Sequence, residues 1–327
     1  MKHLFRTGFL LAAGLSMAIP AIAGDYLERP EVQAFVNEVA ERNKLDKAWV
    51  QRVLAEAQAK ESIVAAMTRP AEKTLTWNEY RALFVTQQRI TWGKEFMTEH
   101  EATLVRAEET YGVPAETIAA IIGVETYYGR NVGSYRVLDA LATLGFDYAP
   151  RAPFFRGELE QFLLMTHEQH LPPTALKGSY AGAMGLGQFI PSSYRNYAVD
   201  FNGDGVVDLW NVEDAIGSVA RYFAMHGWQT GQAVTWPIKP PKVIEEGMLA
   251  PAPKPTFSVA EIRAAGYGVP DSVGDEELAA VIRLKNADSS DYWLGLKNFY
   301  VITRYNHSPM YAMAVYQLSQ ALAGTAP

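Results

Sequence analysis

Residues 119–130 read AAIIGVETYYGR. Ile118, Ile121 and Ile122 stand seven, four and three positions before Glu125, so on a helix the carboxylate shares their inward face. Pro114 suits a first helical turn and Gly129 a helix end, which predicts a helix over 114–129. Burial disfavours the charged form of a carboxylate. One held in an apolar cleft can reach a pKa of roughly 6, fit to donate a proton near neutral pH. The plainer alternative is a half-buried glutamate paired with Arg130 or Arg136.

A second stretch, GSYAGAMGLGQFIPSSY at 178–194, carries glycines at 178, 182, 185 and 187, a backbone bare enough for a bulky ligand to approach. Ser179, Gln188, Ser192 and Ser193 offer neutral hydrogen-bonding groups that suit hydroxyls and amides, and Tyr180, Phe189 and Tyr194 offer flat faces for sugar rings. Phosphate sites are excluded in detail. Gly185-Leu186-Gly187 lacks the third glycine of a dinucleotide fingerprint, and no Gly-Lys-Ser/Thr order occurs.

Outward from these motifs the pattern is helical. Val32, Phe35, Val36 and Val39 line one face, and Asp46 and Thr76 sit where N-caps belong. Further helices are expected over 156–167, over 214–226 and, capped by Ser308, over 309–322. WPIKPPKVIEEGMLAPAPKP, from 236, is too rich in proline for a regular helix or a central strand. After it, SVAEIRAAG reads as a short helix, while AAVIRLKN and YWLGLKNFYVIT lean towards strand. The domain boundaries expected are a signal at 1–23, a helical domain at 24–112, a catalytic core at 113–236, a Pro-rich linker with a small β-containing subdomain at 237–304, and a C-terminal cleft segment and helix at 305–327.

Lys2, His3 and Arg6 precede an apolar run to Pro20 and then Ala21-Ile22-Ala23, the pattern of an export signal cut after Ala23. A periplasmic protein follows. No cysteine occurs, so neither a lipid anchor nor a disulfide is expected, and no membrane anchor replaces them. The net charge of -7 argues against a nucleic-acid partner. His167-Glu168-Gln169-His170 lacks the HExxH spacing of a zinc site, and no Gly-x-Ser-x-Gly elbow is present.

DFNGDGVVDLWNVED at 200–214 places Asp200, Asn202, Asp204 and Asp208 at EF-hand positions 1, 3, 5 and 9, with Gly205 at position 6 and the Val206 carbonyl at 7. Position 12 is Asn211 where a bidentate glutamate is usual, so the last ligand is expected from Asp214. Structural Ca2+ is the cofactor this spacing implies, with none for catalysis.

Four segments, IIGVETYYGR, GSYAGAMGLGQFIPSSY, DFNGDGVVDLWNVEDAIGSVARYFAMHGW and WLGLKNFYVITRYNHSPMYAMAV, run in an order that resembles the lytic murein transglycosylase B family, glycoside hydrolase family 103. The resemblance covers nearly the whole chain after the export signal. It implies a mostly α (α+β) fold, a lysozyme-like core with a helical domain and a small β-containing subdomain, acting on peptidoglycan glycan strands; a monomer is expected. By position, Glu125 matches the family's single catalytic acid/base, and Ser179 and Gln188 match groups at the scissile bond. Tyr222, Tyr305, Asn306 and Tyr311 match cleft residues, and Tyr80 a cleft tyrosine from the helical domain. Where relatives often carry two arginines, this chain has Pro150-Arg151, followed by Phe154 in place of tyrosine.

Most glycosidases need two carboxyl groups, yet Asp139, Asp147, Glu158 and Glu160 are not spaced to pair with Glu125. An acetamido group on the substrate can replace the second. The activity implied is cleavage of the β-1,4 bond between N-acetylmuramic acid and N-acetylglucosamine, closing a 1,6-anhydro ring. The alternatives are a hydrolytic muramidase and a non-catalytic, calcium-stabilised peptidoglycan-binding protein.

Overall fold

The computed structural model describes residues 26–68, 75–249 and 253–325. The export signal expected at residues 1–23 lies outside them. The chain is mostly α, with a two-stranded and a four-stranded antiparallel sheet. Helices begin where short polar side chains satisfy the first free N–H groups. Asp46 accepts from the Ala48 N–H ahead of Lys47–Ala55, Thr76 and Glu79 form a reciprocal capping box at Trp77–Phe84, and Ser308 accepts from the Tyr311 N–H at the start of Pro309–Leu322. Such a cap stabilises by about 1 kcal/mol. Burial contributes more: in Pro30–Asn43 the side chains of Val32, Val36 and Val39 are fully buried, each worth roughly 1.5–3 kcal/mol.

At the centre lies Ala115–Thr126, apolar nearly all round, with Ile118, Ala119, Ala120, Ile121 and Ile122 fully buried. A helix of that kind must be surrounded. It packs against Gln87–Glu99, Glu101–Tyr111, Val212–Met225 and Pro309–Leu322. The last helix of the chain therefore lies on one almost 200 residues earlier, and a groove opens where their ends meet.

The larger sheet runs Thr235–Pro237, Ser290–Gly295, Leu278–Lys285, Phe257–Ser258, with Ile282 opposite Trp293. Successive residues of Leu278–Lys285 face opposite ways. Ala279 and Val281 enter a satellite core with Val259, Ile262 and Tyr267, while Ala280, Ile282 and Leu284 join the main core. The sheet thus lies between two apolar layers, against the helical body.

One expectation fails here. YWLGLKNFYVIT is strand only to Gly295, and Lys297–Tyr305 is helical despite its Val301, Ile302 and Thr303. Asn298, fully buried, accepts from the Gln229 N–H and donates to the Gln229 and Gln232 carbonyls, while Phe299 and Ile302 at helical spacing fill the main core. Tertiary burial overrides a weak β preference.

Candidate active site

The central helix is shorter than its pattern implies. It stops at Thr126, because Tyr127 and Tyr128 take left-handed conformations at φ 52° and 61° and Gly129 follows at 83°. Left-handed backbone costs a non-glycine residue about 1–2 kcal/mol, so something must hold it. Thr126, fully buried, accepts the Gly129 N–H at Oγ1 and sets that hydroxyl 2.9 Å from the Leu186 carbonyl. Arg89, also buried, lays its guanidinium 3.9 Å from the Tyr127 ring centre and donates to the Leu83 carbonyl.

This ending leaves Glu125 in the last turn, half-buried on the wall of a cleft of about 620 Å³. Tyr311 donates its hydroxyl to Glu125 Oε1 at 2.5 Å. Burial first, and then the nearby charge of Glu125, push the Tyr311 and Tyr305 hydroxyls well above the usual tyrosine range. Both stay protonated and remain donors at neutral pH. Arg130 pairs with Glu95 and Arg136 with Asp139.

Among the described residues lining the cleft, Glu125 is the one carboxylate. The other acids near it in sequence are committed: Asp139 to Arg136, Asp147 to Arg29 and Tyr26, Glu158 to Ser192, and Glu160 to Arg42. Ser179, Gln188, Tyr222, Tyr305 and Asn306 join Glu125 on the wall. Ser179 Oγ accepts the N–H groups of Ala181 and Ala183. Gln188, at φ 52°, donates from Nε2 to the Gly185 and Val132 carbonyls. Tyr305 donates to the Gly187 carbonyl and Tyr222 to the Arg304 carbonyl, so these hydroxyls brace the wall and present rings. Tyr311 stands behind Glu125. Tyr80, 1% exposed and in tilted ring contact with Phe84, is not among the residues lining the cleft.

The glycines of 178–187 do something other than expected. A side chain at Gly182 would strike Leu141, and one at Gly185, held at φ 66°, would strike Leu209. They admit the protein's own core and leave the cleft to their polar neighbours. Spacing gave no cue to Arg304 and His307, which flank Tyr305-Asn306 on the wall, or to Phe154, which with Tyr180 stays 40% exposed there. Tyr180, read from the sequence as a flat face for sugar rings, is on the wall, and the exposure of Phe154 is what marks its ring as available there.

In the 200–214 loop Asp200 accepts the N–H groups of Gly203, Asp204 and Gly205. Asp214, fully buried, accepts those of Phe201, Asn202 and Asp208. Burial pushes the Asp214 carboxyl above the ordinary range, against the pull of those N–H bonds. Among the described residues no Lys, Arg or His forms an ion pair with Asp200, Asp204, Asp208 or Asp214. Four unneutralised carboxylates in one short loop are an oxygen donor set of the kind a hard divalent cation takes. The side chains presently face backbone N–H groups: no three His, Cys, Asp or Glu among the described residues converge as a metal would require.

The helices thus set one carboxylate, hydrogen-bonded to a phenol, on the wall of an open groove. Residues 28–320 match the family model described as the transglycosylase SLT domain. The chain is 43% identical, over 97% of its length and 88% of the other protein, to membrane-bound lytic murein transglycosylase B of Escherichia coli (strain K12). The soluble lytic transglycosylase SltB1 of Pseudomonas aeruginosa superposes with a TM-score of 0.86 at 49% identity, covering 90% of this chain and 99% of that one. Escherichia coli Slt35 in complex with calcium superposes at 0.84 with 43% identity, covering 94% and 97%. Pseudomonas aeruginosa SltB3 in complex with NAG-anhNAM-pentapeptide superposes at 0.79 with 30% identity, covering 89% and 78%. The chain belongs to the transglycosylase SLT family and is a lytic murein transglycosylase.

Proposed function

We propose that Glu125 alone performs both proton transfers that cut the β-1,4 bond between N-acetylmuramic acid and N-acetylglucosamine in peptidoglycan. The observation that carries this is a cleft with one carboxylate on its wall. Glu125 first gives its proton to the bridging oxygen, and the N-acetylglucosamine side leaves with a free 4-hydroxyl. The acetamido oxygen of the muramic residue attacks the anomeric carbon as that bond breaks, in place of a second carboxylate. Glu125, now charged, takes the proton of the C6 hydroxyl of the same sugar. The C6 oxygen displaces the acetamido oxygen from the anomeric carbon, and the 1,6-anhydro ring closes without water.

The neighbours have distinct tasks. Tyr311, hydrogen-bonded to Oε1, holds the carboxyl group in place on the cleft wall. Ser179, whose Oγ already accepts two N–H groups, turns its own proton towards the acetamido group. Gln188 has committed Nε2 to the backbone, which leaves Oε1 to accept from the sugar. Asn306 offers a further polar group, while Tyr222 and Tyr305 face the sugars with their rings and exclude water.

The 200–214 loop takes calcium through Asp200, Asn202, Asp204, Asp208, Asp214 and the Val206 carbonyl, in a structural role apart from the chemistry. In the same reading residues 24–112 belong to the helical domain, 113–236 to the catalytic core, 237–304 to the Pro-rich linker and small β-containing subdomain, and 305–327 to the C-terminal cleft segment and helix. Peptidoglycan lies outside the cytoplasmic membrane, so the working site is the periplasm and residues 1–23 are its export signal. No helix among the described residues is long and apolar enough to cross a membrane.

Mass spectrometry of digested murein tests the chemistry. Muramic ends lighter by one water are expected, and Glu125→Gln should lose activity by about 10²–10⁴-fold while still binding murein. Ordinary reducing ends would make the enzyme a hydrolase, and turnover retained by the glutamine variant would remove Glu125 from its role.

A further inference from the structure

We propose that Tyr128 is a positioning residue that sets Glu125 against Tyr311; the inference rests on the reading of Glu125 as the acid/base. Tyr128 lies three residues after Glu125, at the second of the three left-handed positions that end the central helix. Its ring is 6% exposed and lies 5.4 Å from that of Phe96 on helix Gln87–Glu99. Two glycines make room for it. A side chain at Gly123, two residues before Glu125, would come within 2.5 Å of the phenol, and one at Gly93, on the Phe96 helix, would strike its hydroxyl.

Gly93 has a second close neighbour, Leu322, at the far end of the helix that begins at Pro309 and carries Tyr311. The Gly93 contact is therefore where three elements meet: the turn that follows Glu125, the helix that presents Tyr311, and the helix that supports both. The ring spaces the central helix, at Gly123, from Gln87–Glu99, at Gly93 and Phe96, and Gln87–Glu99 in turn packs at Gly93 against Leu322 of the helix that presents Tyr311. The Tyr128 hydroxyl makes no hydrogen bond among the described residues, so Tyr128 acts through the volume of its ring.

The roles separate in kinetics on the full chain, assayed on murein well below the melting temperature. Tyr128→Phe keeps the ring and should keep kcat and KM. Tyr128→Leu should lower kcat by about ten- to a hundredfold with KM within about twofold, the penalty of a misplaced reacting group. Gly93→Ala, remote from the cleft, pushes the phenol from its other side and should lower kcat likewise. Combining Gly93→Ala with Tyr128→Phe removes the atom struck first and should recover kcat in part. A folded Gly93→Ala protein with lowered melting temperature but wild-type kcat would overturn the proposal, as would losses confined to KM or a double variant no better than Gly93→Ala. Should Tyr128→Leu fail to fold, the glycine pair decides the matter alone. Activity retained by Glu125→Gln would instead defeat the reading of Glu125, whatever these variants do.

Discussion

Glu125 and Asp214 are both acids on apolar helices of one core, and the protein treats them in opposite ways. Asp214 sits in the first turn of Val212–Met225, where the helix end favours negative charge, and takes three backbone N–H bonds. Glu125 sits in the last turn of Ala115–Thr126, where the helix end does not favour it, and meets a phenol and an open cleft. An acid that fixes a loop is given permanent donors on rigid backbone. The acid proposed to gain and lose a proton meets a hydroxyl that can turn and a route to substrate.

Three changes press on that contrast. The largest effect is expected at Tyr311→Phe: losing a hydrogen bond to the charged carboxylate should lower kcat by about tenfold or more, with the melting temperature little changed. Steady-state kinetics on murein checks it. Because Tyr305 and Tyr311 hold their protons well above the usual range, neither should produce an alkaline limb in the pH–rate profile below about pH 10. A change of similar size in stability and not in activity would place Tyr311 with the scaffold.

Asp214→Asn should do the reverse. An amide cannot accept all three N–H groups, so thermal denaturation should reveal a loss of about 1–3 kcal/mol, with kcat nearly unchanged. The smallest effect is that of calcium. At millimolar ion and a dissociation constant of about 10⁻⁴–10⁻³ M, binding stabilises by roughly 0.4–1.4 kcal/mol, seen as a rise in melting temperature that chelator reverses and Asp214→Asn abolishes. An unmoved melting temperature would leave the loop held by its N–H bonds alone.

Much of the scaffold was legible because its causes are local. Asp46, Thr76 and Ser308 cap the helices that follow them, and the Val32–Val39 spacing is a helical face whatever surrounds it. Glu125 was legible for the same reason, three and four residues from Ile122 and Ile121 on one face. The helix over Lys297–Tyr305 was not, because Asn298 finds its partners at Gln229 and Gln232, more than 60 residues away. Nor was the burial of Tyr80, or the inward purpose of Gly182 and Gly185, since Leu141 and Leu209 meet them only after folding.

The sequence by itself determined where helices start, which acid lies on an apolar face, and that the 200–214 loop is rich in carboxylates, because periodicity and caps act within a turn or two of chain. Only the tertiary structure decided that Glu125 meets Tyr311, 186 residues on, that the other nearby acids are bound away from the cleft, and that Arg304 and His307 join its wall. Those outcomes depend on which remote segments bury together, and burial is a property of the packed molecule and not of any short stretch of it.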